Sequence, residues 1–117
     1  VAGAFDCKAS IAFKRNYPPL INHEKETEFA SKVMKELVGA ERVNLRIDPT
    51  MGAEDFAFML LKKPGCYVFL GNGDGDHRIA GHGMGPCHLH NPSYDFNDAL
   101  IPVGVNYWVR LAQTYLA

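Results

Sequence analysis

Cys66-Tyr67-Val68-Phe69-Leu70 is an unbroken apolar run, with Pro64-Gly65 before it and Gly71 after it. Such a run is too short for a stable helix and has no wet face. It reads as a fully buried central strand. Helices are expected on either side of it. Asn22 is placed to cap a helix that carries Glu24, Glu26 and Glu28 near its start, Phe29, Val33 and Leu37 on one stripe, and Gly39 at its end. Ala53 to Leu61 reads as a second, short helix, with Glu54 and Asp55 in its first turn. Leu100 to Leu116 reads as the last, with Val103, Tyr107, Leu111 and Tyr115 on one stripe and Pro102 in its first turn. Asn97 or Asp98 is its expected cap.

Two further stretches alternate with period two. Phe5, Cys7, Ala9, Ile11 and Phe13 are apolar between more polar neighbours, the pattern of a half-buried antiparallel strand. Val43, Leu45 and Ile47 alternate with Arg42, Asn44 and Arg46, which predicts a short edge strand. Between them, Tyr17-Pro18-Pro19 is a stiff connector and a domain boundary. Helices interleaved with strands predict a layered α/β fold.

Composition narrows the function classes. The net charge is −1 and the charges are mixed along the chain, so no basic stripe points to nucleic acid or a membrane surface. No apolar run approaches a transmembrane span. Three widely spaced cysteines, Cys7, Cys66 and Cys87, fit a reducing cytoplasm better than a disulfide framework. The chain begins at Val1 with neither initiator Met nor signal peptide, and is read as a segment of a longer protein.

Chemistry concentrates in Cys87-His88-Leu89-His90-Asn91-Pro92-Ser93-Tyr94-Asp95-Phe96-Asn97-Asp98. Four of the five histidines lie between His77 and His90. Imidazole and carboxylate groups that converge on one point make a metal site. Cys87, His88 and His90 are candidate donors, with Asp95 or Asp98 as partners that orient an imidazole. On residues alone, a pair of surface histidines is the competing reading. The loop from Gly71 to Gly85 has six glycines but no dinucleotide fingerprint, since position 76 is Asp76. Asp74 and Asp76 lack the later ligands of a calcium loop, and the segment reads as a flexible surface loop. His23-Glu24 is no zincin motif, because Thr27 stands where the second histidine belongs.

Four blocks in order resemble the C-terminal portion of the hippurate hydrolase and N-acyl-amino-acid amidohydrolase family, part of a dinuclear-metal peptidase superfamily. They are Tyr17-Pro18-Pro19-Leu20-Ile21-Asn22, Met51-Gly52-Ala53-Glu54-Asp55-Phe56, Pro64-Gly65-Cys66-Tyr67, and Leu89 to Asp98. The second and fourth are the most specific. The resemblance implies that residues 1–16 are the last strand of an inserted α+β lid domain that often mediates dimerisation. Residues 17–117 would be the C-terminal half of a zinc-peptidase-like catalytic domain. His90 matches the family's last metal ligand, whereas His88 matches loosely and is not assigned. Tyr94, Asp95, Asn97 and Asp98 match residues that hold the loop.

The resemblance further implies that Met51, Gly52 and Ala53 line the substrate pocket. Backbone amides at a helix start would suit the substrate's free carboxylate there. Glu54 and Asp55 read as helix-start electrostatics rather than as an acid–base pair. The cofactors would be two divalent ions (Zn, Mn, Co or Ni). The partners would be an N-acyl amino acid substrate such as N-benzoylglycine, the N-terminal part of the same protein, and a second copy through the lid. The general base and the other metal ligands are expected ahead of Val1, so the chain by itself is expected to be inactive. The alternative is a non-enzymatic binding or assembly module with at most a structural zinc site.

Overall fold

The computed structural model describes residues 1–73, 89–92 and 94–117. Among them run three α-helices, α1 (Glu24–Val38), α2 (Phe56–Leu60) and α3 (Ile101–Leu116), with 3-10 turns at Ala2–Phe5, Ala40–Arg42 and Asp98–Leu100. Glu24 and Glu26 occupy the positive end of α1 and Lys35 its negative end, each favourable to the helix dipole. Gly39 stops α1 at φ 90°, a backbone angle only glycine takes cheaply, and its N–H donates to the Lys35 carbonyl at 3.0 Å. Pro102 sits in the first turn of α3, where its missing N–H costs nothing.

The helices α1 and α3 pack on each other. Three residues of the expected stripe, Val103, Tyr107 and Leu111, are half-buried, whereas the fourth, Tyr115, is exposed, its ring edge to face with Phe29 at 6.0 Å. Ala30 and Val33 of α1 and Ala57 and Leu60 of α2 are the buried apolar side chains. α3 also carries a second apolar stripe, Ile101, Val105, Trp108, Val109 and Leu116, that is exposed. A helix apolar on two sides is built to be covered on two sides. The radius of gyration, 19.8 Å, agrees with this surplus of open apolar surface, since a compact domain of this length would have about 13 Å.

The layered α/β sheet is not there. Among the described residues no β-strand forms, and the structure is helical. At the expected lid strand, Ala2–Phe5 coils into a 3-10 turn closed by Cys7 N–H on the Ala2 carbonyl at 3.1 Å. Ile11 and Phe13 beyond it are exposed. At the expected edge strand, Ala40–Arg42 is a 3-10 turn, and the Asn44 side chain takes the Arg46 N–H at 2.9 Å, which bends the backbone. The expected central strand, residues 66–70, forms no ladder, and Phe69 and Leu70 lie exposed. Alternation encodes a backbone ready to be half-buried. It does not encode a partner, and a strand exists only through bonds to one.

An asparagine takes the partner's place. The Asn22 carboxamide donates to the Tyr67 carbonyl and accepts from the Tyr67 N–H, both at 2.8 Å. Next to it, His23 N–H donates to the Gly65 carbonyl at 3.1 Å, and His23 Nδ1 accepts from Gly65 N–H at 3.3 Å. Asn22 therefore does not cap α1. The N-cap residue is His23, without a capping side-chain bond. Nor does α2 begin at Ala53. It starts at Phe56 and lasts five residues, because the Glu54 side chain turns back onto the Phe56 N–H.

Asn22→Ala is expected to cost about 1–3 kcal/mol, since it leaves two half-buried backbone groups of Tyr67 unpaired. Urea unfolding with an unchanged m-value would report it. A Cβ at Gly65 would lie 2.9 Å from Leu60 Cδ2, so Gly65→Ala is expected to destabilise by about 1–3 kcal/mol through overpacking.

Candidate functional site

His90 sits in an exposed turn with φ 75°. Left-handed backbone in a residue with a Cβ costs about 1–2 kcal/mol, and such strain concentrates where a side chain must be aimed. The turn continues at Asn91, whose carbonyl accepts from Tyr94 N–H at 2.9 Å. The Tyr94 ring stands edge to face on Phe96, with centroids 4.9 Å apart.

Beyond the turn, Asn97 is a hub. Its Oδ1 accepts from Ala99 N–H at 3.1 Å and so caps the 3-10 turn that leads into α3. Its Nδ2 donates to the Asn72 carbonyl at 3.2 Å. Asn72 answers with both ends of its own carboxamide. Nδ2 donates to the Asp95 carbonyl and Oδ1 accepts from Asn97 N–H, each at 2.9 Å. Gly73, next in the chain, has the left-handed φ of 73°. The structure thus brings Asp95 and Asn97 together on Asn72, a residue the sequence did not single out. Composition files Asn72 under a glycine-rich loop. Its partners are 23 and 25 residues further on, out of reach of any local pattern.

Glu54 belongs to a different group. Its Oε1 accepts from Phe56 N–H at 3.1 Å and its Oε2 from the Tyr67 hydroxyl at 3.2 Å. The Phe56 N–H, with further hydrogen bonding from Asp55 and Tyr67, holds its carboxyl below the ordinary value of 4.5. Tyr67 is pushed above its ordinary 10.0 by desolvation and by donating to that carboxylate. The carboxylate at this helix start is therefore the chain's own. Met51, Gly52 and Ala53 lie ahead of α2 and are exposed.

An apolar groove of about 620 Å³ opens between α1, α3 and residues 65–68, lined by Phe29, Cys66, Tyr67, Tyr107, Trp108 and Tyr115. Burial, and then the nearby Cys66, raise the Tyr107 hydroxyl above its ordinary 10.0. Cys87, His88, Asp74, Asp76, His77 and most of the Gly71–Gly85 loop lie outside the described residues. Among the described residues no three His, Cys, Asp or Glu side chains come together as metal donors. The His90 imidazole is one group of the kind zinc and its neighbours take as a donor. One imidazole fits a corner of a metal site, not the whole of one.

The model of peptidase family M20/M25/M40 matches residues 6–114, and the chain belongs to that family. It is 34% identical to the hippurate hydrolase of Campylobacter jejuni over 99% of its own length and 27% of the relative's. It is 32% identical to the IAA-amino acid hydrolase ILR1-like 6 of Arabidopsis thaliana, covering 97% of itself and 24% of the relative. The N-acetyldiaminopimelate deacetylase of Oenococcus oeni is 34% identical over 74% of the chain and 22% of that protein. The chain thus spans about a quarter of the length of these relatives, two of them hydrolases and one a deacetylase by name. No solved structure matches it.

The Glu54 carboxyl is expected to titrate below 4.5 by NMR, and Tyr67→Phe to move its midpoint upward by removing one donor. The sign for stability follows. A depressed carboxyl contributes above its unfolded value, and that contribution is lost as pH falls through the folded midpoint. Acid unfolding of Tyr67→Phe should therefore begin at a higher pH than that of the unaltered protein.

Proposed function

We propose that this chain is the C-terminal part of a metal-dependent amidohydrolase that cleaves N-acyl amino acids, of which N-benzoylglycine, giving benzoate and glycine, is the representative. The family match over residues 6–114 carries the reading, and the strained, exposed His90 turn supports it. In this reading residues 1–16 belong to a lid unit through which two copies associate, and residues 17–117 to the catalytic unit. The location is cytoplasmic, in keeping with Cys7 and Cys66 as free thiols.

The roles divide as follows. Two divalent ions (Zn, Mn, Co or Ni), when bound, lower the pKa of a water and polarise the scissile carbonyl. His90 supplies one imidazole donor to hold them. The remaining donors and the carboxylate general base come from sequence outside residues 1–117. Met51, Gly52 and Ala53 line the pocket for the acyl amino acid. Their exposed backbone suits that task, and Glu54 stays with Phe56 and Tyr67 as a structural group. Tyr94, Asp95, Asn97 and Asp98 hold the turn that aims His90. Water adds to the amide carbon, the C–N bond breaks, and the leaving amine takes a proton.

His90→Asn in the full-length protein is the direct test, because asparagine tolerates the left-handed backbone and removes the imidazole. Loss of a support to a metal ligand costs about 10–100-fold. Loss of the ligand itself is expected to lower kcat/KM for N-benzoylglycine by about a hundredfold or more. An unchanged value would remove His90 from the site. Residues 1–117 alone, assayed with Zn²⁺, Mn²⁺ or Co²⁺, are expected to show no turnover, since a single donor cannot hold a catalytic metal pair.

A further inference from the structure

We infer that Asn72 is a positioning residue for the metal centre: its carboxamide pins the segment behind His90 and thereby sets how well the His90 imidazole meets a divalent ion. The inference rests on the reading of His90 as a metal donor. It adds a residue from a different part of the chain to the support of that donor.

The geometry is specific. His90 stands on an exposed turn, so burial does not fix it. On its C-terminal side only four residues separate it from Asp95. Within them the backbone closes a turn from Asn91 to Tyr94, and Pro92 restricts its own φ. Holding Asp95 and Asn97 therefore limits how far the short segment that carries His90 can stray. Asn72 holds both. Its two bonds of 2.9 Å and the return bond of 3.2 Å from Asn97 make a three-bond junction.

That junction is anchored on both sides. On one side Asn97 caps the turn into α3. On the other, Asn72 ends the extended segment that Asn22 grips at Tyr67. Gly73 is part of the same device. The position of a Cβ there would lie 3.6 Å from Asn97 Nδ2, and the backbone is left-handed. Glycine takes that left-handed backbone without strain.

A carboxamide is the group this junction needs. It must donate to a carbonyl and accept from an N–H at once. A carboxylate of the same shape keeps the acceptor and sets a negative charge against the Asp95 carbonyl oxygen. Alanine keeps neither bond.

The test uses the full-length protein, with Asn72→Ala, Asn72→Asp and His90→Asn compared side by side. Three quantities are read: the dissociation constant for Co²⁺, the visible absorption of the bound cobalt, and the thermal unfolding of the metal-free protein. Both Asn72 variants are expected to weaken cobalt binding about tenfold and to change the ligand-field bands. Turnover of N-benzoylglycine should fall at limiting metal and recover as metal is raised. A merely structural role would lower the unfolding temperature and leave the affinity and spectrum of the folded protein alone. Cobalt affinity within about twofold of the unaltered protein, with an unchanged spectrum, in either folded variant overturns the inference. Failure of both variants to fold overturns it as well, since Asn72 would then be a folding residue. If His90→Asn leaves cobalt binding intact, the reading of His90 is what falls. If His90→Asn abolishes binding and the Asn72 variants do not weaken it, only the pin falls.

Discussion

The two-point hydrogen bond between the Asn22 carboxamide and the backbone of Tyr67 is the constraint on which the described structure depends. It joins positions 45 residues apart. Beside it, His23 and Gly65 exchange a second pair of bonds, so the entry to α1 and residues 65–67 behave as one piece. Much else follows from that junction. Tyr67 is placed to donate to Glu54, and its ring to meet Phe56 and Phe69. Gly65 is close enough to Leu60 that a methyl group there would push the Leu60 side chain aside. Each such bond has a net worth of only about 0.5–1.5 kcal/mol, but a buried group left without its partner costs more than the bond gave.

The same chemistry recurs at the other end of the extended segment. Asn72 grips the backbone of Asp95 and Asn97 much as Asn22 grips that of Tyr67. In both places a short planar side chain supplies the donor and acceptor that a neighbouring strand would have supplied. The Tyr67 backbone is thereby paired without a ladder, as are the Asp95 carbonyl and the Asn97 N–H. Two carboxamides thus stand near the two ends of the run from Tyr67 to Asn72.

What was legible in the sequence was local. Gly39 ends α1, Pro102 opens α3, and the Val103–Tyr107–Leu111 stripe turns inward, because each is decided within one or two turns of helix. What failed was pairing. The alternation at Phe5–Phe13 and at Val43–Ile47 and the apolar run at Cys66–Leu70 predict strands, and none has a partner strand among the described residues. Asn22 looked like a helix cap because capping is what asparagine does locally, whereas its actual partner is remote. The site divides in the same way. His90, Tyr94, Asp95, Asn97 and Asp98 were legible as one contiguous block that resembles a family. Asn72, held to that block only through space, was not.

Dependence on a carboxamide brings a chemical vulnerability of its own. Asparagine is among the thermolabile residues, and Asn72 is followed by Gly73, whose backbone nitrogen has no neighbouring side chain to shield it from the amide carbon. Deamidation there needs no change in the gene. The ring it forms opens to aspartate or isoaspartate, neither of which can donate to Asp95. Such a molecule would keep its helices and their core, and lose the grip behind His90. An ageing preparation would then hold two populations alike in fold and unlike at the histidine.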